Sequence, residues 1–191
     1  MYSPVGSELW YSQDGGISWV LVNDFGGEKI ISVKVSPRDR NRIYVSHKQS
    51  GSMWRVHRST DGGATWELAA PTPGENGNNN NQPIYLDVDG TDPDRLWAVL
   101  TGNQIGYKVL RSEDGGETWQ DWSTETIANQ RVISLAHQRG TNGGLYIGTT
   151  QGVFYRNEDM NDWLLYNTGL PMINVCTCLL YTSPSPRDRS I

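Results

Sequence analysis

The chain alternates apolar and polar residues in short runs. In Ile31-Ser32-Val33-Lys34-Val35 every second side chain falls on one face, the period of a half-buried β-strand. No stretch carries the apolar period of an amphipathic helix. The runs are bounded by Gly, Asp, Asn and Pro, the residues of tight turns. Three groups of four strands follow. The first is Ile31-Val35, Arg42-Val45, Trp54-Arg58 and Thr65-Leu68. The second is Ile84-Val88, Leu96-Leu100, Tyr107-Arg111 and Thr118-Trp122. The third is Val132-Ala136, Leu145-Thr149, Gly152-Tyr155 and Trp163-Tyr166. Two further strands, Glu8-Ser12 and Trp19-Val22, read as the second half of such a group, and Ile173-Val175 as the start of another.

The groups are copies of one unit. Ser12-Gln-Asp14-Gly-Gly16-Ile-Ser-Trp19, Ser59-Thr-Asp61-Gly-Gly63-Ala-Thr-Trp66 and Ser112-Glu-Asp114-Gly-Gly116-Glu-Thr-Trp119 share one pattern. A decayed copy, one residue shorter, runs from Asn157 through Asp159 to Trp163. The intervals between the aspartates are 47, 53 and 45 residues, about the length of a propeller blade. Residues 31–66 align with 84–119 without a gap, matching Arg42 to Arg95 and Arg58 to Arg111. Each motif closes a hairpin between third and fourth strands. Glycine accepts the positive φ of a tight turn. The carboxylate takes backbone N–H groups, the hydroxyls tie the arms, and the Trp is expected to turn back into the blade and be largely buried.

This pattern resembles the Asp-box (BNR) repeat family, found in sialidases, xyloglucan-cleaving hydrolases and sortilin-type receptors. The resemblance implies an all-β fold, a β-propeller fragment of four-stranded antiparallel blades. It divides residues 1–177 into a half blade (8–22), blades at 30–70, 83–123 and 131–167, and the start of another at 173–176. It also implies that the box residues Ser12, Asp14, Gly16, Trp19, Ser59, Asp61, Gly63, Trp66, Ser112, Asp114, Gly116, Trp119, Asp159 and Trp163 are structural, on the blade periphery away from the ligand face. Export to the extracellular space or cell surface is a further implication.

Composition narrows the function. Eight Trp and nine Tyr against two Phe, with 21 Gly, suit short strands filled by large aromatics. The net charge of −5 and the lack of a basic stripe argue against nucleic acid. No apolar run approaches the roughly 20 residues of a membrane helix. Cys176 and Cys178 make no zinc pattern with His47, His57 and His137, which lie in different strands without shared spacing.

Few residues remain as candidate chemistry. The Asn/Gln-rich segment Asn78, Asn79, Asn80, Asn81 and Gln82 offers paired donors and acceptors suited to sugar hydroxyls. Arg131 precedes a first strand and could face the central funnel. Asp87 and Asp89 share one face of their strand; turn chemistry is their leading role, oxygen ligation of calcium, the one cofactor the sequence suggests, is the second, and a carboxylate pair for catalysis the third. The sialidase-type Arg-Ile-Pro signature is missing. The leading expectation is a non-catalytic, extracytoplasmic module that binds a glycan or protein. The alternative is part of a secreted glycoside hydrolase of sialidase or xyloglucanase type, with its catalytic residues in other blades. Residues 178–191 resemble a translated sequencing adapter, from Cys178-Leu-Leu-Tyr-Thr-Ser onward, and are expected to be non-native.

Overall fold

The computed structural model describes residues 1–49, 53–70, 82–102, 106–169 and 175. Four antiparallel sheets follow one another along the chain. The first is β1 (Tyr2–Val5), β2 (Glu8–Tyr11) and β3 (Val20–Asp24). The second is β4 (Lys29–Val35), β5 (Ile43–Lys48), β6 (Trp54–Ser59) and β7 (Glu67–Leu68). The third is β8 (Ile84–Val88), β9 (Leu96–Leu100), β10 (Val109–Ser112) and β11 (Gln120–Asp121). The fourth is β12 (Val132–His137), β13 (Leu145–Thr149), β14 (Gly152–Arg156) and β15 (Leu164–Leu165). Within each sheet spatial order equals chain order, the up-and-down meander of a propeller blade.

The cores lie between blades, as face-to-face sheet packing requires. Leu9, Ile30, Ile43 and Val45 join the first sheet to the second. Tyr44, Val56, Ala69, Leu86, Ala98 and Leu110 join the second to the third. Trp97, Trp122, Ile147, Phe154 and Trp163 join the third to the fourth. Each strand gives alternate side chains to the blade before and the blade after, so both faces are apolar.

The structure departs from the expected elements in three ways. The N-terminal piece has a third strand, because Tyr2–Val5 pairs with Glu8–Tyr11 around Gly6, whose φ is +61°. The outermost strands of the second, third and fourth sheets shrink to two residues, whereas β3 of the first keeps five. A single helical turn, α1 (Glu125–Ala128), joins the third and fourth blades and buries Ile127 between them.

Candidate functional site

The three regular boxes are built alike. Ser12, Ser59 and Ser112 each donate through Oγ to Oδ1 of the aspartate two residues on, at 2.8 Å. Each serine also accepts from the N–H of the second glycine, Gly16, Gly63 or Gly116, at 2.7 to 2.8 Å. The aspartates accept from the backbone N–H groups of Ser18, Thr65 and Thr118 at 2.8 to 2.9 Å. They also accept the hydroxyls of those residues at 2.5 to 2.6 Å. Hydrogen bonds to an ionised carboxylate stabilise the charged form. The Thr65 hydroxyl, then its N–H, hold Asp61 down at about 2. The Ser18 hydroxyl and N–H lower Asp14 further. At Asp114 burial pushes the carboxyl up, and the Thr118 and Ser112 bonds outweigh it.

The box tryptophans fall into two sets. Trp19, Trp66 and Trp119 are partly exposed, each indole lying over the second glycine of its own turn, and Trp66 and Trp119 pack against the inter-blade cores. Trp163 of the decayed copy is buried, meeting Trp122 edge to face and donating to its carbonyl oxygen at 3.1 Å.

The decayed copy is not a residue short. The outer ladder closes through Ala69 N–H to Val56 O, Trp122 N–H to Val109 O and Tyr166 N–H to Val153 O. The spacing is thirteen residues in all three, so Glu158, not Asp159, holds the position of Asp61 and Asp114. Glu158 forms an ion pair with Arg111 of the preceding blade at 2.9 Å. Asp159 is exposed and accepts from Asn142 Nδ2 at 3.3 Å. Asp162 takes over as the bonded carboxylate, gripping the hydroxyls of Thr124 and Thr126.

The boxes and the first-to-second-strand turns share one end of the propeller: Gly62 N–H donates to Asn41 O and Gly115 N–H to Asp94 O. Asp87 and Asp89 lie toward this end. Asp87 bridges blades, meeting Lys34 Nζ at 3.1 Å and accepting from His137 N–H at 2.8 Å. Asp89 is buried. Its Oδ1 accepts from Thr91 N–H and hydroxyl, and its Oδ2 stands 3.5 Å from Arg95 Nη1 and from His137 Nε2. Burial pushes its carboxyl up, but the Thr91 bonds and His137 bring it below the usual range. The two carboxylates thus face different cationic side chains, Lys34 for Asp87 and Arg95 for Asp89. Among the described residues no group of three His, Cys, Asp or Glu is placed to hold a metal.

The connections between blades occupy the other end. Asn78 to Asn81 lie outside the described residues. Gln82 is buried, with its Oε1 accepting from Gly102 N–H at 2.9 Å, so its amide is committed to the fold. Arg131 is exposed at the start of β12, at the same end as Gln82. Sequence reasoning missed a pair here: His47 and His57 meet because Val45 registers with His57 and His47 with Arg55. Their Nε2 and Nδ1 atoms are 3.1 Å apart, capped by Phe25.

A family model described as Sortilin, neurotensin receptor 3, matches residues 7–128. The chain belongs to the sortilin Vps10 family. The match runs from the first sheet through α1 and holds all three regular boxes. No curated protein matches the sequence. Among solved structures, an ancestral GH74 enzyme is similar at a TM-score of 0.65 and 19% identity, over 85% of this chain and 22% of that one. The GH74 xyloglucanase from Xanthomonas campestris is similar at a TM-score of 0.63 and 18% identity, over 90% and 29%. YCF48 bound to D1 peptide is similar at a TM-score of 0.57 and 18% identity, over 85% and 48%. These likenesses establish the propeller fold. The chain spans less than half the length of each of them. No helix among the described residues of this sortilin-family chain is long and apolar enough to cross a membrane.

Proposed function

We propose that this chain is part of a non-catalytic, extracytoplasmic propeller that binds a glycan or protein ligand at the end opposite its boxes. The observation that carries the reading is the use made of the regularly spaced carboxylates. Asp14, Asp61 and Asp114 each accept hydrogen bonds from their own hairpin and are held ionised. A glycosidase acid needs the opposite, a raised pKa. Membership of a receptor family supports a binding role. So does the peptide-bound state of YCF48, a propeller of the same fold. The end away from the boxes carries the blade connections, including the segment through Asn78 to Gln82 and the exposed Arg131.

The test is a glycan and peptide array probed with the purified full-length protein, run beside an assay for released reducing sugar and sialic acid. Saturable binding without turnover supports the reading. Sugar release would replace it with a hydrolase, and that activity would survive Asp61→Asn. Detection of the protein in the extracytoplasmic fraction of its source cells tests the location.

A further inference from the structure

His47 and His57 stand where the repeat elsewhere has leucine. Residues 31–66 align with 84–119 without a gap, so the two histidines correspond to Leu100 and Leu110. Those leucines are buried between the second and third blades, at 4% and 0% exposure. The place in the sheet is the same, since Ala98 registers with Leu110 as Val45 registers with His57. Packing at these positions therefore needs only apolar volume. The histidines instead bring polar atoms to a junction whose buried core is Leu9, Ile30, Ile43 and Val45. Burying polar groups carries a cost that leucine avoids.

The two rings are aimed at each other. His47 Nε2 and His57 Nδ1 are 3.1 Å apart, while the ring centres are 4.9 Å apart and the planes are inclined by 37°. A collinear N–H···N contact would hold the centres farther apart, so this one is bent. Two histidines that share one tetrahedral zinc ion, with Zn–N bonds of about 2.0 Å, have their nitrogens about 3.3 Å apart. The pair is already at that spacing. Phe25 covers both rings, at 5.2 to 5.3 Å between centres. His47 is 1% exposed, but His57 is only partly buried and its cross-strand partner Leu68 is 55% exposed. An ion can thus reach the pair from the rim of the blade.

We propose that His47 and His57 form a two-histidine site for a divalent transition-metal ion of the zinc class. The ion replaces the hydrogen shared by His47 Nε2 and His57 Nδ1, and each nitrogen gives it a lone pair. The displaced N–H proton is taken up by the other nitrogen of the same ring, so both imidazoles stay neutral. Neutral imidazole is the metal-binding form. Two protein ligands leave the other positions to water, unlike the closed shell of a structural zinc site. The guanidinium of Arg55, a charge that acts on both rings, opposes a dication and makes the site exchangeable. Imidazole suits zinc, copper and nickel, whereas calcium takes oxygen ligands.

The test uses the purified, metal-stripped protein without a histidine tag, titrated with zinc at neutral pH. Calorimetry should show one zinc per chain, and Tm should rise with zinc concentration but not with calcium. Cobalt in place of zinc should give the visible absorption of a histidine-bound ion. His47→Leu and His57→Leu restore the residue of the third blade, so each should fold, as judged by far-UV circular dichroism, and each should lose all three signals. His137→Gln should keep them. A wild-type protein that binds neither zinc nor cobalt overturns the inference. So does binding that survives both leucine variants, or binding that is lost in His137→Gln.

Discussion

His47 Nε2 and His57 Nδ1 lie 3.1 Å apart beneath the ring of Phe25, between the first and second blades. One imidazole donates and the other accepts, so the two rings cannot both be protonated while the contact stands. Burial, then the neighbouring His47 and Arg55 charges, lower His57 to about 4; burial, then Arg55, lower His47. His137 also falls, through burial that its carboxylate neighbours only partly offset.

The sign of the resulting pH dependence follows. The unfolded histidines bind protons near pH 6.5, whereas folded His57 resists until about pH 4. Stability is therefore full above pH 6.5 and falls as pH drops toward 4. Denaturant unfolding at a series of pH values should show this slope, and His57→Gln should flatten it. A slope unchanged by His57→Gln would exclude the pair as its source.

Asp61 governs a lower window. Its folded value of about 2 against the usual 3.8 gives stability that is present above pH 3.8 and is lost as pH falls toward 2. Asp61→Asn should remove that part of the acid limb and leave the histidine window unchanged. The same titration series, read below pH 4, checks it.

Among the box tryptophans, Trp163 should matter most. It is 4% exposed and contacts Trp122, so Trp163→Ala should cost about 3–5 kcal/mol, the range for a large buried aromatic. Trp66 is half-buried over its own turn, so Trp66→Ala should cost less. Chemical denaturation midpoints rank the two, and equal losses would contradict the assigned packing.

The corrected register makes Glu158 and Asp159 distinguishable. Glu158→Ala removes one of the two carboxylate partners of Arg111, whose side chain is 11% exposed and which keeps Glu113, and should lower the unfolding midpoint. Asp159→Ala removes only a long contact at the surface and should be near neutral. The reverse order would restore Asp159 as the box aspartate.

Gly63 and Gly15 separate backbone from packing. Both have positive φ, +99° and +77°, so alanine strains each by roughly 1–2 kcal/mol. A Cβ at Gly63 would come within 2.7 Å of Val22, while one at Gly15 meets nothing within 4 Å. Gly63→Ala should be the worse variant in thermal unfolding, since only it also pushes the first blade off the second.

The sequence by itself determined the repeat, the four-strand unit and the box hairpins. These depend on contacts between residues near in the chain: Ser59, Asp61 and Thr65 bond one another within six residues. A local motif written three times is legible without a structure. Period and turn chemistry likewise placed β8 and β9 at their observed bounds. Only the tertiary structure decided what crosses between strands and blades. A register shift of one residue reverses every face, so the meeting of His47 with His57, ten positions apart, was invisible to spacing. The pairing of Arg111 with Glu158 needed the thirteen-residue ladder that the decayed copy conceals. The commitments of Asp87, Asp89 and Gln82 depend on His137, Arg95 and Gly102, which approach them only when separate strands and blades pack.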